Sequence, residues 1–300
     1  MITRIISAIL GIGLFLALCF WGTLPFAVAV TVLTAAAIHE FVGGQRSVPL
    51  PQDVPTVWQP FARVFEPINA ALAMISLALV PAIYVASVSD IRSQLTIWAA
   101  VLLAWVIFGI GIVLASWNTG RGLGWMRAFY GKIGFWYLGG LFSCFLLLRS
   151  VAGRVRVGSF PEADRGAWIM LFVAVCIWST DTFAYFTGRA IGKHKLAPKL
   201  SPGKTIEGAL GGLIGAVVAG GLFGRWIHLP PIAGIGVGII AGIFGPLGDL
   251  FESALKRELG LKDFGKLMPG HGGALDRFDS LLFAAPAAYL FLRLVVGLAP

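Results

Sequence analysis

The length of the uninterrupted apolar runs limits this chain more than any other feature. "IAGIGVGIIAGIFGPLGDLF" (232–251) carries one acid in twenty residues, and "SLLFAAPAAYLFLRLVVGL" (280–298) one arginine in nineteen. About 20 helical residues cross a ~30 Å hydrocarbon core, whereas a barrel strand needs only about ten. Backbone polar groups in lipid have to be satisfied internally, so runs of this length span as helices. Only 12% of the 300 residues are charged, against roughly 25% in soluble domains. The expected fold is an all-α polytopic bundle.

About nine spans are expected, near 5–21, 25–39, 69–87, 95–115, 135–148, 167–186, 208–224, 231–251 and 281–298. The first two, separated by "GTLP", read as a helical hairpin; a cleaved signal peptide is the rival reading, but apolar sequence continues to Ala37. Segment 40–68 is Pro-rich and polar, a surface loop. No repeat period is visible. Cys19, Cys144 and Cys176 lie inside apolar runs at no metal-ligand spacing. His39, His194 and His228 fall at no such spacing either.

Basic residues orient the chain. The N-terminus and segments 40–68, 116–134, 187–207 and 252–280 share one side and hold 16 of the 23 Lys and Arg. That side is expected to be cytoplasmic, in a cell (inner or plasma) membrane. Segment 149–166 disagrees, with four arginines on the opposite side. Positive-inside bias and anionic lipid attraction account for the net charge of +9, so no nucleic-acid partner is called for.

Eight of the fourteen acids fall between 181 and 279. A carboxylate at membrane depth costs ~2.5–3.5 kcal/mol on the milder scale, so it faces a polar cavity with a partner. If the helix continues past Phe251, Asp249, Glu252, Ser253 and Lys256 share a face. Asp276 and Asp279 share one if "ALDRFDS" opens the last helix. Two helix ends then aim carboxylates at one mouth. Hard cations such as Mg²⁺ take one or two carboxylates plus substrate phosphates. Acids alone suit a cation transporter equally. Lys256, Arg257, Lys262, Lys266, Arg277 and the glycines of "PGHGG" tilt the reading toward phosphate, because Arg and Lys bind it and glycines admit backbone N–H groups. Residue by residue, Lys266, Glu258 and Asp263 read as solvated loop charge. In "SPGKTIEG" (201–208) Ser201 is expected to N-cap a helix with Pro202 at its first position, presenting N–H groups to an anion beside Lys204 and Thr205.

These residues carry a resemblance. "SALKRELGLKDFGKLMPGHGGALDRFD" (253–279) closely resembles the signature of the membrane phosphatidate cytidylyltransferases, the CDP-diacylglycerol synthases, and "DTFAYFTGRAIGKHKLAPKLSPGKTIEG" (181–208) resembles a second region shared by that family. Met268, Ala274 and Gly203 are mild departures. The resemblance covers about the last 130 residues, so the chain divides into N-terminal membrane helices (1–165) and a C-terminal catalytic membrane region (166–300).

The resemblance implies the reaction of CTP with phosphatidate to CDP-diacylglycerol and pyrophosphate, at an active site in the cytoplasmic mouth of the bundle. It implies Mg²⁺, with room for a second cation, held by Asp249 and Asp276 with Asp279 close by. Lys256, Arg257 and Arg277 would join these three acids in catalysis. Ser201, Lys204, Thr205, Ser253, Lys262, His271, Gly272, Gly273 and Asp181 would bind substrate, His271 chiefly holding the "GHGG" turn. The implied partners are CTP, phosphatidate and membrane lipids; a homodimer is an allowed assembly. A CTP-using polyprenol-type lipid kinase is the rival enzyme class. A transporter should spread its polar residues over two related halves, which this chain does not do.

Sidedness is directly testable. With the three natural cysteines removed, Lys266→Cys should react only with reagents that enter the cytoplasm. Labelling of intact cells by an impermeant reagent would overturn this orientation.

Overall fold

The computed structural model describes residues 2–46, 75–88, 102, 103, 106, 107, 110, 134–265 and 272–298. The described chain is mostly helical. Helices α1 (Ile2–Trp21) and α2 (Thr23–Arg46) form the expected hairpin, turning at Gly22, whose φ of +138° favours glycine. A 3₁₀ turn at Ser76–Ala78 leads into α3 (Leu79–Val88), and a π turn at Phe135–Gly140 into α4 (Leu141–Arg149). The span expected at 95–115 lies almost wholly outside the described residues; of the expected loop 40–68 only 40–46 is described, and it continues helix α2 rather than forming a loop, because the Pro-rich stretch begins only at Pro49.

Four long helices follow in the second half: α5 (Arg165–Ile191), α6 (Ile206–Trp226), α7 (Pro231–Glu258) and α8 (Leu275–Leu294). Among the described residues, four helices are long and apolar enough to cross a membrane: α2 over Thr23–Gly44, α5, α6, and α7 over Pro231–Arg257. Helix α8 is buried on every side from Ser280 to Leu290, the pattern of a central bundle helix. It packs on α7 and α4, while α1 and α2 lean on α5 and α8, so the N-terminal helices join the same bundle.

Small residues set the helix spacing. A side chain at Gly212 would meet the Thr180 carbonyl of α5 at 2.7 Å, and one at Gly238 would meet the Ala216 carbonyl of α6 at 2.6 Å. Backbones this close suit helices in lipid, where no hydrophobic effect drives association and packing has to do so.

Two short hairpins connect the helices. Strands β1 (Arg154–Val155) and β2 (Ala163–Asp164) pair antiparallel between α4 and α5. Here the arginines that disagreed with the charge bias find part of their explanation. Arg149 is only 2% exposed; its Nη2 pairs with Asp164 Oδ2 at 2.9 Å and its Nε donates to the Cys19 carbonyl at 2.9 Å. It staples α1, α4 and β2 together and is not a free loop charge.

The second hairpin corrects a sequence expectation. Strands β3 (Lys195–Ala197) and β4 (Ser201–Thr205) pair antiparallel, so Ser201 and Pro202 lie in a strand rather than at a helix start. The N-cap of α6 is Thr205, whose hydroxyl accepts from the Gly208 N–H at 3.1 Å. Both residues are good caps; pairing with β3 keeps the chain extended through Ser201 and moves the helix start four residues on.

Candidate active site

Helix α7 does run past Phe251, to Glu258, and α8 does begin at Leu275. Asp249, Glu252, Ser253 and Lys256 therefore share a face of α7, and Asp276 and Asp279 lie in the opening turns of α8. Gly248 lets the two backbones touch, because any side chain there would run into the Asp279 carbonyl. Asp249 is thus brought beside the start of α8.

Two ammonium groups hold the cluster. Lys256 Nζ lies 2.9 Å from Asp276 Oδ1 and 3.3 Å from Glu252 Oε1. Lys204, carried in by β4, pairs with Asp249 Oδ2 at 2.7 Å and reaches the Pro246 carbonyl at 3.4 Å. Ser253 Oγ donates to Asp249 Oδ1 at 3.4 Å. Asp276 Oδ2 accepts from the Gly273 N–H at 2.8 Å, a turn made at Gly272 with φ +82°. Asp276 lies outside the four long spans. Burial raises its carboxyl, but the neighbouring Glu252 carboxyl, the Lys256 ammonium and the Gly273 N–H together outweigh burial and keep it below the ordinary carboxylate value.

The remaining expected residues are placed unevenly. Asp181 lies exposed on α5, within electrostatic reach of Asp249, Asp279, Lys204 and Arg277. Arg257, Lys262 and Arg277 are exposed around the cluster's helix ends, and Ser201 is half-buried in β4. The Thr205 hydroxyl is engaged in the α6 cap. His271 and Lys266 lie outside the described residues. The hairpin is further tied to α6 through Glu207, which accepts from the His194 N–H at 3.2 Å.

Sequence reasoning left three residues out of the site. Glu252 is 1% exposed, and neither of its oxygens accepts a hydrogen bond among the described residues; its place between Asp249 and Lys256 on the helix face was the available signal. Tyr137, on the π turn, buries a hydroxyl with no hydrogen-bond partner among the described residues, within electrostatic reach of Asp249, Glu252, Asp276 and Asp279. Glu40 of α2 accepts from the Leu275 N–H at 3.3 Å. Neither of these last two announces itself in an apolar N-terminal half.

Four carboxylates thus face two ammonium groups. Among the described residues no three Asp, Glu, His or Cys side chains gather as a complete metal cage. A cation that keeps substrate phosphate and water in its shell needs only one or two carboxylates. The Asp249 carboxylate, 37% exposed beside the opening of α8, fits such a hard cation.

A profile of the cytidylyltransferase family matches residues 2–295. The chain belongs to that family. Among curated proteins, a phosphatidate cytidylyltransferase of Bacillus subtilis is 47% identical over 131 residues, 43% of this chain and 49% of that protein. One of Brucella abortus is 40% identical over 197 residues, 64% of this chain and 66% of that protein. The Escherichia coli protein YnbB, whose name states no activity, is 44% identical over 129 residues, 43% of each chain. The matched stretches therefore span about half to two thirds of these relatives, or less. The family profile, in contrast, takes in the N-terminal helices as well, the half that supplies Glu40 and Tyr137.

The Lys256 bridge yields a stability prediction. Breaking a buried ion pair from one side leaves charge uncompensated and costs about 3–5 kcal/mol. Lys256→Met should lower the melting temperature in detergent, and adding Glu252→Gln should restore part of the loss. An unchanged melting temperature for Lys256→Met would show that the carboxylates do not depend on this ammonium.

Proposed function

We propose that this chain is a phosphatidate cytidylyltransferase, joining CTP and phosphatidate to give CDP-diacylglycerol and pyrophosphate. The observation that carries the reading is the acid and base cluster of the 253–279 signature, gathered where α7 meets α8 on a bundle of membrane-spanning length. Family membership and the names of the relatives support it.

In the proposed reaction an oxygen of the lipid phosphate forms a bond to the α-phosphorus of CTP, and the bond from that phosphorus to the β-phosphate oxygen breaks. Pyrophosphate leaves with the electron pair. The attacking phosphate is already ionised, so no strong general base is required. Both partners are anionic, and the chain's task is charge neutralisation and alignment. Lys204, at the tip of β4, exchanges its Asp249 contact for a nucleotide phosphate. Arg257 and Arg277, exposed at adjoining helix ends, neutralise further phosphate oxygens. Lys256 holds Asp276 in place, and Ser253 steadies Asp249. Asp249 and Asp276, with Asp279 close by, would hold Mg²⁺, which when bound supplies positive charge to the phosphate oxygens. The site faces the cytoplasm in this reading, where CTP is available, and the lipid enters from the bilayer.

Purified protein given CTP labelled at the α-phosphate, phosphatidate and Mg²⁺ should transfer label to an organic-soluble product. Label that moves to lipid only from the γ-phosphate, with a polyprenol acceptor, would replace this reading by a lipid kinase. Lys204→Ala removes a charge-assisted contact worth ~1.5–3 kcal/mol, so kcat/KM should fall roughly 10- to 200-fold, chiefly through the KM for CTP. Unchanged kinetics would reduce the hairpin to a structural element.

A further inference from the structure

Helix α8 starts without a side-chain cap. Its N-cap position is Ala274, which has no side-chain oxygen to offer the first-turn N–H groups. Exposed N–H groups at a helix start are met by polar side chains, water or ligand, and a carboxylate there is favoured by the dipole. In this chain an acceptor comes from 235 residues away: Glu40 Oε2 takes the Leu275 N–H at 3.3 Å.

The surroundings of Glu40 are shaped to receive it. A side chain on Gly265 would run into Glu40 Oε1, and one on Gly273 into Oε2, so both ends of the glycine-rich connection fold against this one carboxylate. Its Oε1 is shielded from solvent, with no hydrogen-bond partner among the described residues. One helical position on, Phe41 packs against Phe264, with ring centroids 5.8 Å apart. One turn on from Glu40, a side chain at Gly44 would touch Leu261. The C-terminal part of α2 is therefore fitted against Leu261–Gly265 and Gly273, on either side of the connection from α7 to α8.

We infer that Glu40 is a positioning residue of this site: it caps α8 from α2 and thereby fixes Asp276 and Asp279 against α7. Glu40 does not approach the phosphates itself. It holds the turn in which Gly273 donates to Asp276, and that turn sets where Asp276 meets Lys256. The one acid of α2 thus completes a site whose other charged members lie more than 140 residues further on. The consequence for turnover rests on the cytidylyltransferase reading above.

The test uses full-length protein and has two readouts. In Glu40→Ala, kcat should fall roughly 10- to 100-fold, as when a partner that orients active-site ligands is lost, while the KM values for CTP and phosphatidate stay put. Glu40→Gln keeps an oxygen that accepts from Leu275 and should retain most of kcat. Amide exchange over 272–278 should speed up in Glu40→Ala and not in Glu40→Gln, with exchange in α6 unchanged in both. Wild-type kcat and wild-type exchange in Glu40→Ala would overturn the inference, as would a Glu40→Gln variant impaired as deeply as Glu40→Ala. If Glu40→Ala does not fold, Glu40→Asp decides, since its carboxylate is one methylene short. It should lose part of kcat and protection, and wild-type values of both would overturn the inference. A wild-type protein inactive on CTP and phosphatidate would sink the functional reading alone, because the exchange data still decide whether Glu40 holds α8.

Discussion

A carboxylate inside a bundle of apolar helices is expensive unless positive charge stands beside it, and this chain places four where α7 meets α8. Lys256 answers Asp276 and Glu252, and Lys204 answers Asp249. Holding these acids against those ammonium groups is the task that several other features of the structure serve. The β3–β4 hairpin matters because it is the element that carries Lys204 to Asp249. Gly248 matters because it lets α8 come close enough for Asp279 to join the group.

The same constraint explains why the site is shared between distant parts of the chain. Helices in lipid gain little from apolar contact alone, so close backbone approach and a few polar ties decide their arrangement. Arg149 ties α1, α4 and β2 at one point, and Glu40 ties α2 to the start of α8 at another. In the proposed reaction, an arrangement held this way would bring lipid phosphate and nucleotide phosphate to preset positive charges, which is what a reaction between two anions needs.

Much of this was legible in the residues. Apolar runs located the helices α5 to α8, though the polar ends of α7 and α8 extend seven and six residues beyond the expected spans, and the spacing of Asp249, Glu252, Ser253 and Lys256 gave their common face. Local chemistry misled at Ser201, because cap preference reads the same whether or not a strand partner is present, and only the pairing with β3 moves the start of α6 to Thr205. Arg149 looked like a loop charge because its partners, Cys19 and Asp164, lie on elements that only folding brings together. Glu40 and Tyr137 were invisible for a related reason: Glu40 read as the first residue of a polar loop and Tyr137 as one aromatic in an apolar run, and each role depends on groups more than a hundred residues away.

The central claim is that the junction of α7 and α8 is where the two phosphates react, and Asp249 tests it most directly. Asp249→Asn preserves shape and hydrogen bonding but removes the charge that faces Lys204. Steady-state turnover of CTP and phosphatidate should fall by roughly 100-fold or more, with the melting temperature and membrane insertion retained. Turnover close to wild type in a folded Asp249→Asn protein would contradict the account and place the chemistry elsewhere.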